Sequence, residues 1–293
     1  MLIRIGTRKS DLAVAQALEV KQELFKYSTN FLIKIIKITT SGDKYRNVSL
    51  TEIGGKGLFI KEIENELLNN NIDIAVHSLK DVPAFFANGL TIPCVLKRSS
   101  PYDIFISSKY GSINSLPYGA TVGTSSIRRK MQLLHLRPDL NVLPLRGNVV
   151  TRLQNKDFDG IILAEAGLLR LGKHNLIKEV LSPEKMLSAV GQGTICVQCR
   201  KDDIKVVNIL KEINDRESFV RIKAERSFMK TVNGSCFTPM AALAEYVDTN
   251  VLRLRSMLAN GNNLYFNECI SPAENAEEMG VDSALRLKIN VSQ

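Results

Sequence analysis

The chain has 293 residues, 44% hydrophobic and 24% charged, a balance that permits a sizeable buried core and excludes a disordered chain. Lys and Arg outnumber Asp and Glu by 39 to 30, a net charge of +9. That sign favours anionic partners without choosing between nucleic acid, acidic lipid, phosphate and polycarboxylate.

No stretch approaches the ~20 apolar residues of a membrane span. The opening residues, MLIRIGTRKSDLA, hold no apolar run long enough for a signal peptide. The expected location is cytoplasmic, or that of a mature protein inside an organelle. The five cysteines, Cys94, Cys196, Cys199, Cys236 and Cys269, are odd in number and scattered, which argues against a disulfide framework.

LIRIG reads as a strand, and SDLAVAQALEVKQELFKY as a helix with Ser10 as its N-cap. FLIKIIKITTSG is β-rich. DKYRNVSLTEIGGKG is polar and predicts a long loop over residues 43–57. LFIKEIENELLNN carries apolar residues at helical spacing. IDIAVHSL is a buried strand, and KDVP is the turn at its carboxyl end. The theme repeats over residues 97–194. There DIFISS, ATVGTSS, NVLPLRG and GIILAEA are strands or strand ends, with SIRRKMQLLHLRP, VVTRLQNKDF and PEKMLSAV helical between them. TICVQCRKDD is a further strand. SFVRIKAERSFMKTV is a helix that ends at Asn233-Gly234, a C-cap signal, and places Ser235-Cys236-Phe237 in a turn. MAALAEYV, VLRLRSML and NLYFNECI form a meander, followed by a helical stretch at about 272–289.

Strand–helix alternation predicts α/β units with mostly parallel sheets, which bind ligands at the carboxyl ends of their strands. The basic side chains concentrate there: Arg4, Arg8, Lys80, Arg128, Arg129, Arg146, Arg152 and Arg170. Gly123-Thr124-Ser125-Ser126 before Arg128 and Arg129 combines free backbone N–H groups, hydroxyls and two guanidiniums at a helix start. That combination suits a carboxylate; its plainer alternative is a capped helix with solvated arginines. Asp81 at a strand end is either a charge stabiliser or the cap of the turn before Pro83. Cys236 in its turn is either an accessible nucleophile or incidental. Gly54-Gly55-Lys56-Gly57 lacks the spacing of a phosphate loop and reads as a covering loop. His77, His135 and His174 lie far apart, so no metal site is expected. Cys196 and Cys199 sit on a strand, where residues i and i+3 face opposite ways, and read as core residues.

These segments resemble, in order, the porphobilinogen deaminases. The resemblance runs through Arg4–Ser10, GGKGLFIKEIE at 54–64, VHSLKDVP at 76–83, GTSSIRR at 123–129, LRGNVVTRL at 145–153, LAEAGLLRLG at 163–172, AVGQG at 189–193 and ERSFMKTVNGSCFTP at 225–239. It implies that Cys236 carries a dipyrromethane cofactor through a thioether. It implies that Asp81 is the catalytic carboxylate, holding pyrrole N–H groups and stabilising the cation left as ammonia departs. Arg8, Arg128, Arg129, Arg146, Arg152 and Arg170 fall on positions that hold acetate and propionate groups or assist chain growth. Ser10, Lys56, Ser78, Lys80, Thr124 and Ser126 fall on further binding positions. The implied activity is that of a transferase, hydroxymethylbilane synthase. It condenses four porphobilinogen molecules and releases hydroxymethylbilane by hydrolysis, on the route to haem and other tetrapyrroles. The sequence departs from the family at Asp11, commonly Pro; at the turn Asn233-Gly234-Ser235-Cys236, more often Glu-Gly-Gly-Cys; at Met240-Ala241-Ala242, more usually an Ile/Val-Gly/Ala run; and at Gln198, commonly Glu.

The expected fold is α/β in three domains. The first is 1–96 with a returning segment at 195–215, the second 97–194, and the third 218–293, a small α+β domain carrying Cys236. The first two should resemble the bilobal periplasmic-binding-protein fold (type II). The expected partner is porphobilinogen, with no nucleic acid, no membrane and no metal, and the expected state is a monomer. Two rivals stand beside this reading. A non-catalytic anion-binding protein of the bilobal fold leaves Cys236 and Asp81 idle. A nucleic-acid-binding protein calls for aromatics interleaved with the arginines, yet aromatics total 6% with no Trp.

Overall fold

The computed structural model describes residues 1–44, 60–235 and 237–292. Lys56, the glycine-rich run around it and Cys236 lie outside the described residues, as does most of the loop expected over 43–57.

In chain order the strands are β1 (Leu2–Arg8), β2 (Leu32–Ile38), β3 (Ile74–Ser78), β4 (Leu90–Val95), β5 (Asp103–Ile106), β6 (Thr121–Gly123) and β7 (Asn141–Leu143). They continue as β8 (Gly160–Ala164), β9 (Glu179–Leu181), β10 (Ile195–Arg200), β11 (Met240–Asp248), β12 (Val251–Asn260) and β13 (Asn263–Pro272). The helices are α1 (Asp11–Tyr27), α2 (Ser41–Lys44), α3 (Lys61–Leu68), α4 (Ile127–Leu136), α5 (Val149–Gln154), α6 (Glu165–Arg170), α7 (Ile204–Glu212), α8 (Arg216–Thr231) and α9 (Ala276–Ser292). No helix among the described residues is long and apolar enough to cross a membrane.

The chain divides into two compact units, Met1–Ser99 with Thr194–Phe219, and Ser100–Gly193 with Val220–Gln293. The sheet of the first unit has the order β2-β1-β3-β10-β4, with β1 parallel to β2 and β3 and with β10 antiparallel to both its neighbours. The larger sheet of the second unit has the order β7-β6-β8-β5-β9, with β6 parallel to β7 and β8 and with β5 antiparallel to both its neighbours. The two sheets thus share one pattern. In each, the strand that runs against the rest is the first strand the chain forms after passing from one unit to the other.

Period-two alternation sets the faces of the first sheet. Ile3, Ile5, Ile74, Val76, Val197 and Cys199 pack with the stripe Ala17, Val20 and Leu24 of α1 and with Val206 and Leu210 of α7. Ala75, between Ile74 and Val76, joins Ile63 and Leu67 of α3 on the other face. Cys199 belongs to the α1 and α7 face, while Cys196 pairs with His77 across β10 and β3, so the two cysteines do point apart as expected. Burial pushes the Cys199 thiol up to about 12 and raises Cys94 as well, which leaves them inert at neutral pH. Edge strand β4 carries Pro93, and its register with β10 shifts between Val197 and Cys199, where an edge tolerates a residue with no N–H.

The second unit repeats the layering, with Phe105, Val122, Leu133 and Ile162 in one core and Ile104, Ile161, Leu163 and Leu168 in another. It also holds the antiparallel meander β11-β12-β13, whose two outer strands flank β12. As expected, α8 ends before Asn233, which adopts a left-handed φ of 53° while Gly234 N–H closes back on Met229 O at 2.9 Å.

One expected helix does not form. PEKMLSAV is a single turn, closed by Lys185 and Met186 N–H on Ser182 O, followed by irregular chain. The N–H of Leu187 donates to Gln132 Oε1 at 2.7 Å, and its carbonyl accepts from Arg128 Nη1 and Gln132 Nε2. Side chains of α4 have taken the groups a helix needs for itself. Strands β4 and β9 and helices α2, α6 and α7 were not anticipated, the first because Pro93 masks it, and the end of GIILAEA, expected as strand, opens α6.

Candidate active site

Each unit gathers expected site residues at the carboxyl ends of its parallel strands. In the first unit, β1 ends at Arg8, and Ser10 then caps α1 by accepting from Ala13 N–H at 3.3 Å. Thr7, wholly buried, donates to Ala13 O at 3.0 Å and fixes the start of that helix. β3 ends at Ser78, and the turn Leu79–Asp81 follows as a short 3-10 helix with Lys80 and Asp81 half-buried. Val82 N–H bonds Leu79 O at 3.0 Å, so the backbone closes this turn itself. Leu79 N–H bonds Thr194 O, which ties the turn to β10.

Beneath this end, on the α3 face, lie His77, Gln198 and Glu64, all buried. Gln198 Nε2 donates to Glu64 Oε1 at 2.8 Å. Burial drives the His77 imidazole down to about 4; the Gln198 side chain opposes this and the Arg8 charge adds to it. His77 is therefore a neutral residue at pH 7. Gln16 of α1 lies against Ser78, with Nε2 2.8 Å and Oε1 3.1 Å from Ser78 Oγ.

Arg4 does not join this group. Its Nε and Nη2 grip Asp73 at 3.0 and 2.6 Å, so the carboxylate it recognises is the protein's own.

In the second unit, Thr124 follows β6 and accepts from Ser126 N–H at 3.2 Å, and Ser126 caps α4. Arg128 and Arg129 are 4% and 5% exposed. Both close on Asp103, which is wholly buried, at 2.7 Å each. Gln192 Nε2 adds a hydrogen bond to Asp103 Oδ1 at 2.9 Å. Burial by itself raises a carboxyl pKa, but the two guanidiniums outweigh it and hold Asp103 well below the usual carboxylate range. The alternative of solvated arginines at this helix start does not hold: most of their donors are committed to Asp103, Leu187 O and Ile162 O. Two arginines against one carboxylate still leave a net charge of +1 here, and Arg128 Nε is buried with no hydrogen-bond partner among the described residues.

Arg146 follows β7 and is exposed. Gly147 takes the left-handed φ of +101° that turns the chain into α5, and Arg152 Nε donates to its carbonyl at 2.8 Å. Arg170, at the end of α6, donates from Nη2 to Gly193 O at 3.2 Å. Ser235 N–H donates to Thr238 Oγ1 at 3.0 Å, and Phe237 N–H to Ser235 Oγ at 3.2 Å.

A cavity of about 610 Å³ in the first unit is lined by Glu19, Glu23, Lys26, Lys97, Glu212 and Asp215 among others. None of the expected binding residues lines it, and its acidic wall does not suit a carboxylate ligand. Among the described residues no cluster fits a metal ion.

Asp103, Gln192 and Gln16 escaped the reading of the sequence. Each leaves a faint signal there: an Asp opening the apolar run DIFI, a Gln inside AVGQG, and a Gln inside the apolar stripe of α1.

Residues 3–208 match the family model described as porphobilinogen deaminase, dipyromethane cofactor binding domain, and residues 219–288 match porphobilinogen deaminase, C-terminal domain. The chain is 68% identical over 288 residues to a porphobilinogen deaminase of Wolbachia sp. subsp. Drosophila simulans (strain wRi), covering 98% of this chain and 99% of that one. It is 59% identical over 290 residues to a porphobilinogen deaminase of Ehrlichia canis (strain Jake), covering 98% and 97%. Among solved structures it is similar to a putative methionine-binding lipoprotein of Bacillus subtilis, 14% identical, over 75% of this chain and 94% of that one, with a TM-score of 0.46. Two consecutive family domains and relatives matched from end to end place the chain in the porphobilinogen deaminase family.

Proposed function

We propose that this transferase condenses four porphobilinogen molecules on a dipyrromethane carried by Cys236, with loss of ammonia at each step, and releases hydroxymethylbilane by hydrolysis. The observation that carries the reading is the pair Arg128 and Arg129 around Asp103, a buried group with excess positive charge at a helix N-terminus. Each pyrrole unit brings two carboxylates, so a growing chain needs fixed cations, and arginine stays charged at every relevant pH.

The residues suit the cofactor. Arg128 Nε, buried with no hydrogen-bond partner among the described residues, lies in the first turn of α4, where the helix dipole favours an acidic group. When bound, the dipyrromethane supplies the primer on which the chain grows. Cys236 holds it by thioether, a bond stable through turnover. Support for this residue comes from its place in the sequence directly after α8, within the segment that resembles the family's attachment motif.

Asp81 is read as the catalytic carboxylate. It accepts the pyrrole N–H of the incoming porphobilinogen and stabilises the positive charge that develops as ammonia leaves. Arg8, Ser10, Lys56, Ser78 and Lys80 are read as holding carboxylates. Thr124, Ser126, Arg146, Arg152 and Arg170 do so on the second unit, with Arg128 and Arg129 acting through their net charge. The reading extends to a monomer, which sedimentation of the purified protein tests, and to a cytoplasmic location, which cell fractionation tests.

The experiment is intact mass spectrometry of the purified protein and of Cys236→Ser. The expected result is a dipyrrole adduct in the first, none in the second, and turnover of porphobilinogen by the first alone. A protein that turns over porphobilinogen with no adduct, or an adduct that survives in Cys236→Ser, refutes the attachment.

A further inference from the structure

Gln16 stands on the buried stripe of α1 with Ala13, Ala17, Val20 and Leu24 and is 3% exposed. A buried amide without a partner is costly, so a Gln in this stripe requires one. Ser78 supplies it, across 2.8 Å to Nε2 and 3.1 Å to Oε1.

The hydroxyl of Ser78 owns one proton. With Gln16 Nε2 donating across the shorter contact, that proton is left for another acceptor. With the proton turned to Gln16 Oε1, Ser78 offers only lone pairs, which repel a carboxylate. Ser78 is half-buried at the end of β3, directly before the turn carrying Lys80 and Asp81. The neighbouring histidine is neutral and does not alter this choice.

The geometry points to Gln16 as a positioning residue that sets the hydrogen-bond polarity of Ser78, so that its hydroxyl meets an acidic group of the pyrrole substrate as a donor. The inference rests on the reading of Ser78 as a carboxylate-binding position. A carboxylate in place of the Gln16 amide has the same shape but only lone pairs. It captures the Ser78 proton and sets a negative charge behind the ligand.

The test uses the cofactor-loaded enzyme and compares Gln16→Glu, Ser78→Ala and the double variant. Gln16→Glu is expected to raise KM for porphobilinogen about tenfold at pH 8, with kcat nearly unchanged, as for one lost charge-assisted hydrogen bond. The deficit should shrink toward pH 6 as the introduced carboxyl takes up a proton and regains a donor. In the Ser78→Ala background the same substitution should change KM less than about twofold. If Gln16→Glu fails to fold, Gln16→Met replaces it, with a raised KM and no recovery at low pH. A native KM and pH profile in Gln16→Glu, with Ser78→Ala impaired, overturns the inference alone. A penalty that persists in the Ser78→Ala background also overturns it. A native Ser78→Ala overturns the binding role of Ser78 and the inference with it.

Discussion

Asp103 Oδ1 accepts from both Nε and Nη2 of Arg129, at 3.0 and 2.7 Å. Both residues are buried, and Arg128 completes the group from the same helix. Removing one partner of a buried ion pair strands the other charges. Asp103→Asn should therefore destabilise the protein by about 3–5 kcal/mol, read as a lower urea midpoint at unchanged slope. The pH dependence has a definite sign. The folded pKa is depressed, so the contribution is full above the unfolded carboxyl value of about 4 and is lost as pH falls below it. Asp103→Asn should lack that acid-side loss.

His77 works in a different window. Its folded pKa of about 4 lies below the 6.5 of an ordinary imidazole. The unfolded chain binds this proton more readily, so stability is complete above about 6.5 and declines as pH falls toward 4, by at most about 3 kcal/mol. Urea unfolding at pH 7 and pH 5 should show the loss in the parent protein and a smaller one in His77→Gln. Equal losses in both would remove His77 as the cause.

Asp81 is half-buried in a turn closed by its own backbone. Asp81→Ala should keep its far-UV circular dichroism and melting temperature while pyrrole condensation slows by about a hundredfold or more, the usual scale for a lost charge stabiliser. Single-turnover mixing with porphobilinogen measures it directly. Near-normal turnover excludes Asp81 from the chemistry.

Arg146 is exposed beside Gly147. Its loss should cost less than about 0.5 kcal/mol of stability. Arg146→Leu should nevertheless raise KM for porphobilinogen about tenfold by removing one carboxylate contact. Helix content unchanged with full activity would reduce it to a surface residue.

Much of this was legible in the residue order. Alternation in IDIAVHSL and the helical stripe of α1 dictate the layers, since apolar period alone decides which face is buried. Ser10 and Asn233 announced the ends of their helices by local chemistry. Local signals have local reach, however. PEKMLSAV has helical composition, but Gln132 and Arg128, some 55 residues away, claim the backbone of Leu187. The run of arginines was plain from sequence, and which of them are free was not. Arg4 and Arg129 are each consumed by an aspartate distant in the chain, Asp73 and Asp103. Charge, capping and periodicity are properties of neighbours along the chain, so the sequence alone determined the α/β layers, the strand-end clusters and the family. The partner of a buried charge is a property of neighbours in space, and only the tertiary structure decided it.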